Sequence, residues 1–260
     1  FENAGAILEA KDLENLKDHP RVLGLGEMMN YPGVINADED VVHKLETFKD
    51  MVIDGHGPLI KDKDLNAYVA AGIETEHECS TLEEMKERLR LGMYIHIREG
   101  SAARNLEELI KGVNKDNLNR CIFCTDDKHP SDLLSDGSID HNIRLAIKNG
   151  MDPIDCIRMA SINAAQCYGL KWKGAIAPNY LADMVVIDNL ENFNILQVFK
   201  EGELVAKDKK ALFTLEDDNS NAMMESVNIK KVKKEDLEIK LESKRANVIK
   251  LLPHSLITKR

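Results

Sequence analysis

The chain has 260 residues, 43% of them hydrophobic, and its 35 lysines and arginines stand against 45 aspartates and glutamates for a net charge of −10. This composition suits one large or two ordinary soluble domains, and the acidic balance argues against a nucleic-acid partner, which needs a positive surface. No apolar run approaches the roughly 18 residues of a membrane span and no signal peptide opens the chain, so we expect a cytoplasmic protein with no membrane partner. The five cysteines are odd in number and scattered, which predicts reduced thiols.

Short apolar runs alternate with amphipathic segments over the first two thirds of the chain. Residues 38–49 carry apolar side chains at helical spacing, and Ser80-Thr81-Leu82-Glu83 has the pattern of a capping box that opens a helix over 81–91. A strand followed by a helix, five times over, predicts a parallel sheet with right-handed crossovers. The five predicted strands are residues 22–25, 51–53, 71–73, 93–97 and 121–124.

The length of the repeat bears on the type of sheet. The five units average roughly 30 residues each, which is the spacing of a (β/α)8 barrel. Five units are fewer than eight, and only about twenty residues precede the first predicted strand. The pattern therefore fits either an open sheet or a barrel whose first three strands lie outside this chain.

The residue pattern of the sequence changes after Gly169, which is expected to cap a helix C-terminus. Residues 174–188 and a hairpin pattern around Glu201-Gly202 predict a small β module. From about residue 215 the sequence is polar and then lysine-rich, with too few apolar residues for a core of its own. The expected domains are a partial catalytic barrel over 1–170, a β-sandwich return module over 171–214, and a linker with the start of a C-terminal domain over 215–260.

Carboxylates or a histidine follow each of the five predicted strands. Because the carboxyl ends of parallel strands share one rim, residues far apart in sequence converge there. One such residue alone is most often a helix cap or a solvated loop residue, and His43, His96 and His141 are interpreted as surface or core histidines. The five strand ends carry Glu27 and the segments 54–58, 76–78, 98–101 and 125–127.

Two of the histidines stand out from this background. His56 lies between two glycines and before a proline, and His77 lies between two glutamates that raise imidazole basicity if they are close. Two histidines with a glutamate and an aspartate form a nitrogen and oxygen donor set that suits Zn, Mn or Fe. Such an ion lowers the pKa of a bound water toward neutrality, so the implied reaction is hydrolysis.

The sequence does not support other metal-binding, nucleotide-binding or catalytic motifs. Cys121 and Cys124 are three apart on a predicted strand and face opposite sides, so they are expected to be structural rather than to share an ion. The sequence has no Gly-x-Gly-x-x-Gly, no Walker loop, no Gly-x-Ser-x-Gly and no zinc motif of the cytidine-deaminase type.

Five motifs together resemble the bacterial adenine deaminases of the amidohydrolase superfamily. They lie at residues 24–30, 54–58, 76–78, 97–101 and 125–130, in that order, and residues 174–188 are similar to the segment by which amidohydrolases return to their β-sandwich. The resemblance implies an α/β fold: the C-terminal five βα units of a TIM-type (β/α)8 barrel plus a small β module, as an internal fragment truncated at both ends.

The resemblance also implies a function: metal-dependent hydrolytic deamination of adenine to hypoxanthine and ammonia, as in purine salvage. It implies a divalent metal, with Mn or Fe favoured over Zn, a two-metal centre in the complete enzyme, a small-molecule purine base as substrate and a homo-oligomer. Glu27 would be the bridging carboxylate, His56 and His77 metal ligands, and Asp126 both a ligand and the catalytic proton shuttle. The residues expected to contact the substrate are Glu99, Ser101 and Asp127.

Two alternatives stay open. Members of the superfamily carry a His-x-His pair on the first strand, and none of the eight histidines here forms one. The chain could therefore be a catalytically incomplete fragment that needs a partner chain. It could also be an amidohydrolase that opens a cyclic amide, although such enzymes typically have a lysine where Glu27 stands.

Overall fold

The computed structural model of the chain describes residues 6–214, 229–241, 243–256 and 258–259. Up to Cys167, strands and helices alternate. The five strands of this part are β1 (Gly24–Met28), β2 (Val52–Gly55), β3 (Thr75–Glu76), β4 (Tyr94–Arg98) and β5 (Cys121–Cys124). The helices are α1 (Ala10–Lys17), α2 (Tyr31–Asn36), α3 (Glu39–Thr47), α4 (Asp62–Ala70), α5 (Leu82–Arg90), α6 (Leu106–Leu109), α7 (Pro130–Ser135), α8 (Ile139–Lys148), α9 (Pro153–Ala160) and α10 (Ile162–Cys167).

The strands pair in parallel, as predicted. β1 pairs with β2, and β3, β4 and β5 form a second ladder in that order. The N–H of Glu74 donates to the carbonyl of Ile53 at 3.0 Å, which joins the two ladders between β2 and β3. The carboxyl ends of all five strands consequently lie in sequence order along one rim.

Alternation along β4 decides which side chains pack against the helices and which lie on the inside, the opposite face of the sheet. Ile95 and Ile97 are fully buried in an apolar core with the helices, whereas His96 and Arg98 point to the other face. The same holds on β5, where Cys121 and Phe123 belong to that core. Because side chains alternate along a strand, β4 and β5 each turn one apolar face to the helices, and β4 turns His96 and Arg98 to the inside.

Three sequence predictions need local correction. The first strand is residues 24–28 rather than 22–25, so Glu27 lies within the strand and not after it. The third strand is residues 75–76 rather than 71–73, because helix α4 runs to Ala70 and Gly72, at φ +96°, forms the turn after it. The capping box of α5 is reciprocal between Thr81 and Glu84, one residue later than predicted, since Thr81 is the N-cap: its hydroxyl accepts the N–H of Glu84 at 3.3 Å.

The predicted β module is present as an antiparallel meander. Its turn at Glu201 and Gly202 has φ values of +53° and +88°, as in a two-residue type I′ hairpin, which confirms the hairpin prediction. Gly169 has φ +61° just after α10, as expected of a helix cap. The strands are β6 (Met184–Ile187), β7 (Ile195–Lys200), β8 (Glu203–Lys207) and β9 (Lys210–Ala211).

Less regular structure follows. The first part of the predicted linker, 215–228, lies outside the described residues. After it come a 3-10 turn (Lys234–Leu237) and an antiparallel pair, β10 (Lys250–Leu251) and β11 (Thr258–Lys259). The carbonyl of His254 accepts the N–H of Arg104 at 3.3 Å, so this last segment contacts the loop after β4. Among the helices of the described ranges, none combines the length and the apolar character needed to cross a bilayer.

Candidate metal centre

Glu27 reaches the rim through an irregularity in β1. The register between β1 and β2 shifts between Leu25 and Met28, so two consecutive residues, Gly26 and Glu27, line the same cavity. Strict alternation would have sent one of the two outward, and a bulge of this kind re-aims a side chain at the end of a strand.

His56 is held at the end of β2 by a buried tyrosine. The N–H of His56 donates to the hydroxyl of Tyr68 at 2.8 Å, and that hydroxyl donates to the carbonyl of Met28 at 2.7 Å. Gly55 permits the close approach of β2 to β3, because a Cβ there would lie 2.2 Å from the carbonyl oxygen of Thr75. The ends of β1 and β2 are therefore fixed to each other beside the histidine.

The turn that carries His77 is organised by a fully buried carboxylate. Glu76 accepts the N–H of Gly57 at 2.9 Å and the N–H of Glu78 at 2.8 Å. The guanidinium of Arg88, also fully buried, lies 3.5 Å from Glu76 and donates to the carbonyl of Gly57 at 2.6 Å. One buried ion pair thus fixes the two histidine-bearing turns relative to each other.

Three potential ligand atoms converge on one point. Glu27 Oε2 lies 2.9 Å from His56 Nδ1 and 3.1 Å from His77 Nε2, and the two ring nitrogens are 3.2 Å apart. Ligand bonds of about 2.1 Å at octahedral or tetrahedral angles place neighbouring donor atoms roughly 3.0 to 3.4 Å apart. The donor set and its spacing therefore fit a divalent ion of the first transition row.

Asp126 completes the rim beside this triplet. One ligand atom each of His77, Glu78 and Asp126 lie within 4.8 Å of one another, and Glu78 Oε1 is 3.5 Å from His77 Nε2. Arg98 donates to the carboxylates of both Glu78 and Asp126. The structure thus brings together all four residues for which metal binding was predicted, and adds Glu78 and Arg98.

A cavity of about 340 Å³ lies at this point of the rim. His96, only 7% exposed, lines it, and its Nε2 is buried without a hydrogen-bond partner. Burial lowers the pKa of His96 to about 3, so the ring is neutral, and burial raises the pKa of the Cys124 thiol to about 12. The other lining residues are Gly26, Glu27, Asp54, His77 and Asp126.

The residues predicted to contact substrate are engaged within the rim loops. The carboxylate of Glu99 is buried and accepts the N–H of Leu106 at 3.4 Å. The hydroxyl of Ser101 accepts the N–H of His129 at 2.8 Å, and Asp127 accepts the N–H of Ala102 at 2.8 Å. Their role in substrate binding stays a prediction.

Charge coupling within the triplet leads to a pH dependence. Hydrogen bonds with His56 and His77 lower the pKa of Glu27 well below its usual range. The hydrogen bond with Glu27 raises the pKa of His56, and the same partner raises the pKa of His77 against the opposing effect of burial. Without an ion, this cluster therefore retains protons on its imidazoles to higher pH than free histidine does.

A divalent ion has to displace those protons. We expect the affinity of the chain for Mn²⁺ to rise as the pH is raised from about 5 to 8, with protons released on binding. Titration calorimetry in buffers of different ionisation enthalpy measures both quantities. His43→Gln is the control, because His43 is exposed on α3; the His56→Gln variant should release fewer protons on binding, since only His77 then titrates in the cluster. An affinity independent of pH would contradict a site built on these imidazoles.

A comparison with protein families identifies the family of the chain. The model of the amidohydrolase family matches residues 3–205. The chain belongs to the amidohydrolase family.

Two similar solved structures share the fold of this amidohydrolase. A β-aspartyl dipeptidase from Fervidobacterium islandicum AW-1 has a TM-score of 0.60 at 14% identity over 78% of this chain and 63% of that one. An enamidase has a TM-score of 0.50 at 18% identity, over 66% of this chain and 53% of that one.

Curated relatives of this amidohydrolase are adenine deaminases, which confirms the resemblance noted from its five motifs. The adenine deaminase of Clostridium acetobutylicum is 50% identical over 262 residues, covering 100% of this chain and 46% of that protein. Adenine deaminase 2 of Carboxydothermus hydrogenoformans is 47% identical over 260 residues, covering 100% of this chain and 46% of that protein. The chain therefore spans about half the length of the curated relatives it matches.

Proposed function

We propose that the complete gene product hydrolyses adenine to hypoxanthine and ammonia. The observation that carries the proposal is the convergence of Glu27, His56, His77 and Asp126 on one rim, in a chain that is 44% to 50% identical over almost its whole length to adenine deaminases. The reaction breaks the bond between C6 and the exocyclic amine and forms a bond between C6 and a water oxygen.

The metal site is proposed to use Glu27 as a bridging carboxylate and His56, His77 and Asp126 as ligands. Nitrogen and oxygen donors without a thiolate suit Mn or Fe, with Zn possible. When bound, the ion supplies Lewis-acid activation of the attacking water. A two-metal centre is proposed as well, on the family to which the chain belongs.

Asp126 is the residue of the rim best placed to move a proton. Its side chain is 37% exposed, whereas that of the neighbouring Glu78 is only 7% exposed. One oxygen, Oδ2, is bonded to Arg98, and the residue lines the cavity. We propose that Oδ1 accepts the proton of the attacking water and passes it to the departing amine, a transfer that typically contributes about 10² to 10⁴-fold in rate.

The five βα units are proposed to be the C-terminal part of an eight-stranded barrel, with the domains that the sequence predicts at 1–170, 171–214 and 215–260. The likeness in fold to the β-aspartyl dipeptidase, over 63% of its length, supports this arrangement. The test is the upstream gene sequence, which should encode a His-x-His pair roughly ninety residues before Phe1, three units of roughly 30 residues each.

The enzyme is proposed to be located in the cytoplasm, since the five cysteines are free, as in a reducing compartment.

A homo-oligomer is proposed as well. Val185, Leu196 and Leu204 of the antiparallel sheet are 51%, 42% and 37% exposed, and apolar surface of this kind is commonly covered by assembly. Light scattering of the complete gene product measures its mass.

Substrate preference tests the proposed reaction. We expect the complete, Mn²⁺-loaded gene product to release ammonia from adenine, with kcat/KM for cytosine lower by about 10⁴-fold, because a site that hydrogen-bonds one ring edge rejects analogues that leave its polar groups unpaired. Coupled ammonia assays and chromatography of hypoxanthine measure this. Equal turnover of dihydroorotate would instead favour a cyclic-amide hydrolase, which the glutamate at position 27 disfavours.

A further inference from the structure

Arg98 is a charged residue inside the rim to which the proposed reaction assigns no role. It is the last residue of β4 and is 2% exposed. Alternation on β4 turns Arg98 to the inside, on the same face as His96, while Glu99 is turned toward α6 and accepts the N–H of Leu106. The arginine of this segment, and not the glutamate next to it, therefore reaches the candidate metal centre.

The guanidinium of Arg98 is shared between two carboxylates. Its NH1 group donates both to Glu78 Oε1 and to Asp126 Oδ2, and its Nε is buried without a hydrogen-bond partner. Arg98 thus contacts the proposed ligand Asp126 directly, and Glu78 Oε1, its other partner, lies 3.5 Å from the proposed ligand atom His77 Nε2. A buried cation held by Glu78 has a fixed position, and it fixes in turn the carboxylate of Asp126.

The main chain at Asp126 has an uncommon conformation. Its φ is +50°, a left-handed conformation that side chains rarely adopt. The loop that carries it is fastened to the loop after β4 by the bonds from Ala102 to Asp127 and from His129 to Ser101, both 2.8 Å long. These bonds place the main chain, and Arg98 then selects the direction of the side chain.

We propose that Arg98 is a positioning residue that engages Oδ2 of Asp126, so that Oδ1 is directed at the ion and the reacting water, with Glu78 holding Arg98 in place. The inference rests on the role proposed for Asp126. It gives Glu78, in the turn after β3, and Arg98, at the end of β4, one shared function: to set the orientation of a carboxylate in the loop after β5.

The test is a cycle of variants measured in two ways: by the Kd for Mn²⁺ and by kcat and KM for adenine in the complete gene product. Arg98→Met is expected to raise the Kd by about 10-fold and to lower kcat by about 10 to 100-fold with little change in KM. In the Asp126→Asn background the same substitution should change each quantity by less than about 3-fold, because the carboxylate it positions is already gone. Arg90→Met, at the exposed end of α5, is the charge-matched control.

A further variant distinguishes a loss of positioning from a loss of activity caused by unfolding. Removing Arg98 alone leaves Glu78 as a buried charge, so Glu78→Gln with Arg98→Met removes both charges and keeps the fold; it should show the same loss of kcat. Equal losses in the wild-type and Asp126→Asn backgrounds, or an unchanged kcat and Kd, would overturn the proposal. If the wild-type protein does not deaminate adenine, the proposed function fails, and the Mn²⁺ cycle alone still decides whether Arg98 acts through Asp126.

Discussion

Replacing Asp126 by asparagine is expected to lower the turnover of adenine by the complete gene product by about 10² to 10⁴-fold. Asparagine keeps the size of the side chain and one coordinating oxygen, but it cannot accept a proton. Metal content should consequently fall only modestly, since Glu27, His56 and His77 converge without Asp126. Steady-state rates and metal analysis of the same preparation measure the two effects.

The neighbouring Asp127→Asn is the matched control. Its Oδ2 accepts the N–H of Ala102 at 2.8 Å, and its Oδ1 lies where a Cβ on Gly100 would be, at 1.8 Å. This carboxylate therefore packs against the backbone of the loop after β4, and its substitution should cost stability or substrate affinity more than the chemical step. If Asp127→Asn were inactive and Asp126→Asn retained turnover, the assignment would be one residue out of register.

Much of the rim was predictable from the sequence, because the carboxyl ends of parallel strands meet. That one rule places Glu27, His56, His77 and Asp126 together without any knowledge of distances. The rule identifies the residues at the strand ends, but it does not say which of their side chains point into the cavity. Which of two successive residues turns inward depends on register, and register depends on pairing with strands that are remote in sequence.

The residues that the sequence reasoning missed follow from this limit. His96 and Arg98 alternate with Ile95 and Ile97, a pattern visible in the sequence that predicts one polar face on β4, but a single buried histidine is more often a core residue. Glu78 was noted only as a neighbour of His77. Its inward direction depends on the turn that Glu76 organises, which sequence spacing does not reveal.

The bulge in β1 is a second case. Alternation predicts that Gly26 and Glu27 face opposite sides, yet both line the cavity, because the register shifts before Met28. The third strand was placed too early for a different reason: its apolar signal belongs partly to the end of α4, and the strand itself has only two residues. Short strands carry too few positions for a periodic signal.

The second large effect is expected at Glu76, which is fully buried beside Arg88. Glu76→Gln should lower the free energy of unfolding by about 3 to 5 kcal/mol, because it leaves the guanidinium of Arg88 as an uncompensated buried charge. Urea denaturation of the chain measures the loss. Glu108→Gln is the control: Glu108 pairs with Lys111 at 2.6 Å on the surface, and its loss should cost less than about 1 kcal/mol.

The double variant Glu76→Gln with Arg88→Met separates charge from position. No unpaired charge then stays buried, so the double variant should lose clearly less stability than the sum of the two single variants. The double variant should nevertheless bind Mn²⁺ more weakly than the unsubstituted chain. Arg88 no longer donates to the carbonyl of Gly57, and the turns that carry His56 and His77 lose the ion pair between them. Additive losses of stability would show that the pair is not coupled, and an unchanged Mn²⁺ affinity would show that the two turns hold the histidines without it.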